Sequence, residues 1–537
     1  MKTQTSTRQS GAALIAALIV LVILTSVAAS VFMSSVPAYR GTYQASAWAE
    51  AKLAADAGVD FAMSELQKCA PNPRAFNWAG WTLPASAGGG SVPQDYDGER
   101  LYVAPDTTLV QGGDGSTKPR ILEVRVDVMT RDDNFARNAW YRIRSTGVAD
   151  VPNAQLSLDK RDLTLRKMTL QKKQITRTVE VISRPVYLWE YALKTNGSMV
   201  LGGGTDWRID SYDSRYATTS VNGIYAGSIA RDFGNIASNR ALPEGTLFGI
   251  LIDAEGAIVR GEVQTRGGDN PDTTVHENVE ESQNIDQSRI TDEFYEDLTE
   301  EPDPSWYVED SGPTGRVDQT GDRTTTTIRS GTGLYGQYDY EPYRVVIDWN
   351  GGQAMGGFEV VNDTASYDPT TGAFTPGSDR FVEIWIDGDV DLGGSQIKVQ
   401  KNVHVKIYLN GNLNFRNRDI NYISAEADRP RYSMRPADLL IFGKLDAGST
   451  PAPKVDSSGN GHIVAAFYGP QYAGNLDGNT EIMGSFVLNT YNIAGGGGSG
   501  GDSLGAGFHY DEALGVVGPV KSYRSVSYFE DTRFDFE

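Results

Sequence analysis

The stretch RQSGAALIAALIVLVILTSVAASVFM, from Arg8 to Met33, decides how the rest of the chain is read. From Gln9 to Tyr39 no residue carries a charge. The apolar run Ala12 to Met33 spans roughly 33 Å as a helix, enough to cross a hydrocarbon core. Lys2 and Arg8 precede it, which keeps positive charge on the cytoplasmic side. Three kinds of segment fit. A secretory signal peptide would be cut near Ala28-Ala29-Ser30. A plain signal anchor needs no cut. The third reading is a long rod, because beyond Pro37 the small or apolar residues Ala47, Ala51, Ala54, Gly58, Phe61, Ala62 and Leu66 recur at helical spacing. Glu50, Lys52, Asp56 and Asp60 fall mostly off that stripe. An apolar helix that runs into an amphipathic one is a rod with half in lipid and half packed on a head.

This arrangement resembles the type IV pilin superfamily, in particular the PilX-type minor pilins and the K-type pseudopilins of type II secretion. RQSGAALIAALIVLVILTSVAAS and AWAEAKLAADAGVDFAMSEL carry the resemblance. It implies a leader over 1–11, with Gly11 before the prepilin-peptidase cut and Ala12 as the new, usually methylated N-terminus. It implies a helix over 12–69, of which 12–36 is the transmembrane half, and an assembly face at Ala47, Ala51, Ala54, Gly58 and Phe61. Most pilins place Glu at the fifth mature position, where it neutralises a neighbour's α-ammonium in an apolar surround; an unpaired charge there is costly. This chain has Ala16 instead. The departure matches the PilX and K-type subgroup and suggests a subunit at the tip or start of a filament. The implied partners are other pilins, prepilin peptidase and the membrane. The implied location is the bacterial inner membrane, in a single pass, before assembly. Afterwards it is the periplasm or a surface filament.

At 537 residues the chain is long enough for about three domains. Its 59 glycines come with 10% aromatic residues, which points to packed strands joined by turns rather than disorder. A net charge of −21 excludes nucleic acid as the expected partner. The single cysteine, Cys69, cannot form an internal disulfide and reads as a small filler at the helix end, so burial and strand pairing must supply stability.

Pro71 and Pro73 end the rod. Alternating strands follow at 121–129, at 140–147 and within 163–183. They predict a pilin-like head with a small antiparallel sheet over 70–187, whose outward face carries Lys172, Lys173, Arg177 and Arg184.

From 188 the texture becomes short apolar runs broken by Gly, Asn and Asp. Trp385-Ile-Asp-Gly-Asp-Val-Asp-Leu392 and Tyr408-Leu-Asn-Gly-Asn-Leu-Asn-Phe415 match position for position, 23 residues apart. That period is one solenoid turn. Ile386, Val390 and Leu392 share one face with Leu409, Leu413 and Phe415, while the Asp and Asn residues take the other. Weaker copies lie at 197–201, 222–225, 256–263, 439–443, 463–469 and 480–487. The expected fold is therefore α+β in its pilin-like N-terminal part, then a mainly-β, right-handed parallel β-helix-like domain over 188–537. This domain also resembles the β-helical C-terminal domain attached to PilX-type N-termini, down to the closing Phe508-His-Tyr-Asp-Glu-Ala-Leu514. An acidic insertion over 276–310 has Ile285, Ile290, Phe294 and Leu298 near helical spacing, which predicts a short amphipathic helix on a projecting loop. The Gly-rich passages 308–343 and 494–507 read as further loops.

The chemistry expected is slight. Asp387, Asp389 and Asp391 could gather for calcium, but Asn stands at all three places in the paired repeat, as a polar outer ladder would require. His509 and Asp511 could suggest acid–base work, yet no nucleophile accompanies them, and a histidine in a closing turn reads as a hydrogen-bonded plug. His276, His404 and His462 lack zinc spacing. No cofactor, metal or catalytic residue is expected, and the protein reads as structural. The alternative is a membrane-anchored glycan-active β-helix enzyme or an adhesin. The solenoid's ligand, glycan or protein, stays open.

Overall fold

The computed structural model describes residues 7–70, 81, 100–103, 119–128, 140–152, 172–202, 208–240, 250–253, 258–266, 287–291, 294–304, 306–307, 326–329, 343–348, 356–368, 370–393, 395–444, 452–477, 480–494, 507–517 and 520–531. Residues 495–506 of the Gly-rich passage, most of 308–343, and the first part of the acidic insertion lie outside these. The chain forms two compact units. One is Met1–Val186 with Val520–Glu537, and the other is Tyr187–Pro519. The second unit is thus inserted into the first.

In the first unit a single helix runs Thr7–Cys69. Strands Arg100–Val103, Arg120–Val128, Tyr141–Pro152, Lys172–Tyr187 and Val520–Asp531 form a five-stranded sheet in that order. The first three pairings are antiparallel. Alternation in the second strand buries Val124 and Val126 against the helix side, as period-two patterning requires. Two expectations change. The last strand belongs to the head, not to the solenoid that was predicted to run to 537. Arg177 is not on an open face: it lies 5.2 Å from the Trp48 ring of the helix, and Ile175 packs with Ala47 and Ala51 on the same side. The odd positions of this strand face the helix, and a guanidinium can sit there because an aromatic face accepts it.

The second unit is a solenoid of parallel strands. One interior row passes through ten turns in register: Val345, Ile384, Ile407, Ile441, Phe467, Phe486, Leu193, Ile236, Val263 and Ile290. The order in space is not the order in sequence. The chain enters at Leu193–Thr195 in the middle of the stack and winds outward through Ile236–Ser238 and Val263–Thr265 to Ile290–Thr291. It then resumes at the far end with Thr326–Arg329 and Tyr343–Asp348. From there it winds back to Glu481–Ala494, which pairs with Leu193–Thr195 and Met199–Gly202. The closing strand Gly507–Asp511 sits between Glu481–Ala494 and Arg208–Tyr212. Both ends of the inserted domain therefore build one central turn.

The 23-residue repeat is adjacent turns in exact register, Trp385 on Tyr408 and Val390 on Leu413. Its glycines are forced by stacking: a Cβ on Gly411 would lie 2.3 Å from the Gly388 carbonyl oxygen. Asn222 to Tyr225 is not a further turn. Val221 and Ile224 bridge antiparallel in a loop, and Ile224 and Tyr225 cover the outside of the solenoid.

Among the described residues of the acidic insertion the predicted helix does not form. Gln287–Arg289 is a 3-10 turn, Ile290–Thr291 is a short strand, and 294–304 is extended chain laid along the outside of the turns. Phe294 and Leu298 are buried there. An isolated three-turn helix gains little in water, whereas an extended strap reaches apolar ground on many turns at once.

Candidate functional site

The first candidate is the helix. Ala13–Ser35 is 23 residues long with none of it buried, and it is long and apolar enough to cross a membrane. Gly11 and Ala12 lie within the helical backbone, and Ala16 is exposed. Lower down, Ala47 and Ala51 are almost fully buried, and Ala54 and Gly58 are buried with them. Phe61 is part-exposed and stacks parallel on Trp81 at 5.9 Å. The small residues at these positions let the helix approach its own sheet: a Cβ on Gly58 would meet Ser145 Oγ at 2.1 Å. The stripe expected to serve assembly therefore packs on the head's own sheet, while Ala13–Ser35 is exposed along its length.

The second candidate is a buried polar seam where the closing strand meets Arg208–Tyr212. His509 Nδ1 donates to Asp210 Oδ1 at 2.7 Å, with both side chains wholly buried. Tyr225 donates to the other oxygen of Asp210 at 2.6 Å and stacks on the imidazole at 3.6 Å between ring centres. Asp511 accepts from the backbone N–H groups of Ser214 and Ala513, and burial pushes its carboxyl up to about 6. Glu512 takes the hydroxyl of Ser211 and the guanidinium of Arg231. Two turns along, His462 holds Asp419 at 3.1 Å and faces Glu481 at 3.6 Å. Burial opposes charge on His462, but the two carboxylates outweigh it and raise its pKa; burial likewise raises Glu481.

His404, the other described histidine, sets Nδ1 against Asp438 at 2.6 Å. Each described histidine thus holds an aspartate through Nδ1, which leaves a neutral or charged ring locked in one orientation. Because the His509 dyad is sealed beneath Tyr225, no substrate can reach it. Asp511, the suggested partner of His509, bonds to the loop instead, and Asp210 takes its place. Nothing in the local spacing could have revealed that, since the pair is 299 residues apart.

The aspartates weighed for calcium are tied to protein groups. Asp387 accepts from Asn410 Nδ2, Asp389 from the N–H and Nδ2 of Asn412, and Asp391 pairs with Arg416 at 2.7 Å. Among the described residues no cluster of His, Cys, Asp and Glu could hold a metal ion.

A family described as a domain of unknown function (DUF7305) matches residues 375–517, all within the solenoid unit. No curated protein matches the chain. Among solved structures, the competence-associated pilin ComZ from Thermus thermophilus aligns over 91% of this chain and 98% of its own, at 13% identity and a TM-score of 0.26. A superposition that loose supplies no argument about fold or function. The architecture rests on the chain itself: a long N-terminal helix, a small antiparallel sheet and a large parallel-stranded unit.

Proposed function

We propose that the chain is a pilin-like structural subunit, a minor pilin or pseudopilin of the PilX or K type. It is held in the inner membrane by Ala13–Ser35 until assembly and carries its solenoid at or near the filament tip. The single observation behind this reading is one unbroken helix whose lower half buries one face on its own sheet while its upper half is exposed and apolar. At about 25 cal/mol per Å² of apolar surface, such a segment strongly favours lipid or a neighbouring helix over water. Ala16 fits a subunit with no ammonium to neutralise. Assembly is then an exchange of lipid contacts for helix contacts, and no catalytic step is assigned.

Mass spectrometry of the protein recovered from sheared filaments tests the proposal. Processing after Gly11 gives a methylated Ala12 terminus, and Gly11→Leu leaves the leader attached and the chain in the membrane fraction. Retention of Met1 in filament-free membranes, or a start near Val31, overturns the reading.

A further inference from the structure

The outward positions of the main ladder form a second continuous row: Trp385, Tyr408, Phe442, Tyr468, Val487 and Lys194 lie in register on successive turns. Side chains on the outside of a solenoid normally meet water. These are buried, the four aromatic ones at 1–7% exposure; the segment 294–304 with Trp306 and Tyr307 lies over them, and Trp189 packs on Phe442 at 5.5 Å. The strap crosses the turns in order. Glu296 pairs with Lys194 at 2.8 Å, the Leu298 carbonyl accepts from Asn196, the Thr299 carbonyl accepts from Tyr468, and Lys444 binds the Glu301 carbonyl and Asp303. Tyr307 then lies flat on Trp385 at 3.7 Å, and Trp306 meets Tyr408 edge-on at 6.4 Å.

Phe294 donates its N–H to the Thr265 carbonyl of a strand, and beyond it the strap is held by side chains reaching up from the turns. The two lysine side chains beneath it are 0% and 3% exposed, so the carboxylates of the strap compensate charges that would otherwise be buried. An aromatic floor with two buried ammonium groups is a surface shaped for an extended peptide that brings acidic and aromatic side chains.

We propose that this groove is a peptide-binding surface and that residues 294–304 with Trp306 and Tyr307 are its resident occupant, which a segment of another chain with the same acidic and aromatic order can replace. Tethering gives the strap a high effective concentration, so an outside peptide enters only when the strap is weakened or the competitor is dense. The proposal concerns the solenoid alone and does not depend on how the N-terminus is processed.

The test uses the full chain in detergent and a fluorescent peptide of sequence ITDEFYEDLTEEPDPSWY, residues 290–307. Trp306→Ala with Tyr307→Ala weakens the strap and leaves the groove unchanged; Glu296→Gln is the milder second variant. Circular dichroism and the thermal transition establish that each is folded. The expected result is at least tenfold tighter peptide binding to the weakened chain than to the wild type. That gain should disappear with Lys444→Met, or with a peptide carrying Gln and Asn in place of Glu296 and Asp303. Failure of a folded, weakened chain to bind overturns the proposal. So does equal binding of poly-glutamate, or indifference to Lys444→Met. If neither variant folds, hydrogen exchange on the wild type decides: amides of 295–303 must open well before those of 403–410, and simultaneous opening overturns the proposal.

Discussion

His509 holds Asp210 through a 2.7 Å hydrogen bond with both side chains fully buried, and so ties the last strand of the solenoid to one that entered it 299 residues earlier. Truncating the ring leaves the carboxylate of Asp210 with Tyr225 as its remaining side-chain donor in a dry setting. His509→Ala should cost about 3 kcal/mol of solenoid stability. Tyr225→Phe keeps the stack and removes one bond, for about 1 kcal/mol. Urea unfolding of the two variants measures the difference, and equal losses would show that the imidazole merely fills space.

The seam should be firmer in mild acid than at neutral pH. Burial raises Asp511 to about 6, burial raises Glu481, and the carboxylates around His462 raise it despite its burial. For each group the folded pKa lies above the unfolded one, so its contribution is complete below the unfolded value and lost as pH climbs through the folded value. For Asp511 that window runs from about 4 to about 6; His462 extends the loss above its usual 6.5. Asp438, which burial would raise but His404 and Ser433 together hold below its usual range, acts in the opposite direction at lower pH. The melting temperature of the solenoid should therefore fall from pH 5 to pH 8, and Asp511→Asn should flatten the lower part of that slope. A rise over the same range would contradict the assignment.

Much of this molecule was legible in its sequence wherever neighbours in space are neighbours in the chain. The 23-residue repeat predicts Trp385 over Tyr408, and the spacing Ala47, Ala51, Ala54 and Gly58 predicts a buried helical stripe; both pairings are local in period or in register. The rest depends on contacts that no window contains. The final strand, Val520–Asp531, alternates like any edge strand, and only its return to a sheet made of residues before 187 assigns it to the head. The spacing of Phe294 and Leu298 fits a helix and an extended strap alike. What decides between them is the outer row from Trp385 to Lys194, which needed cover and which the strap supplies.

The helix–sheet contact of the head makes a graded prediction. A Cβ on Gly147 would lie 2.1 Å from the Ala51 carbonyl oxygen and 2.5 Å from the Ala55 nitrogen, both backbone atoms that cannot move aside. On Gly58 the nearest atom is the Ser145 hydroxyl, the end of a side chain, although Val124 is close behind at 2.9 Å. Gly147→Ala should therefore destabilise the head by about 3 kcal/mol, and Gly58→Ala by about 1–2 kcal/mol. Ser145→Ala should recover part of the second loss and none of the first. Thermal unfolding of the four proteins checks the order.

Tyr472 offers the last test, because one hydroxyl sits 2.9 Å from three carbonyl oxygens, those of Leu409, Gly411 and Lys444. A single O–H can donate to one acceptor at a time, so the phenol is shared among three carbonyls on two backbone segments of adjacent turns and cannot satisfy them all. Burial keeps this hydroxyl protonated by raising its pKa, as a donor role requires. Tyr472→Phe preserves the ring's contact with Phe467 and removes only the shared donor. The expected loss is about 1–2 kcal/mol, together with faster hydrogen exchange confined to residues 409–411 and 443–444. If exchange instead rises evenly along the solenoid, the hydroxyl is not the local tie between these turns.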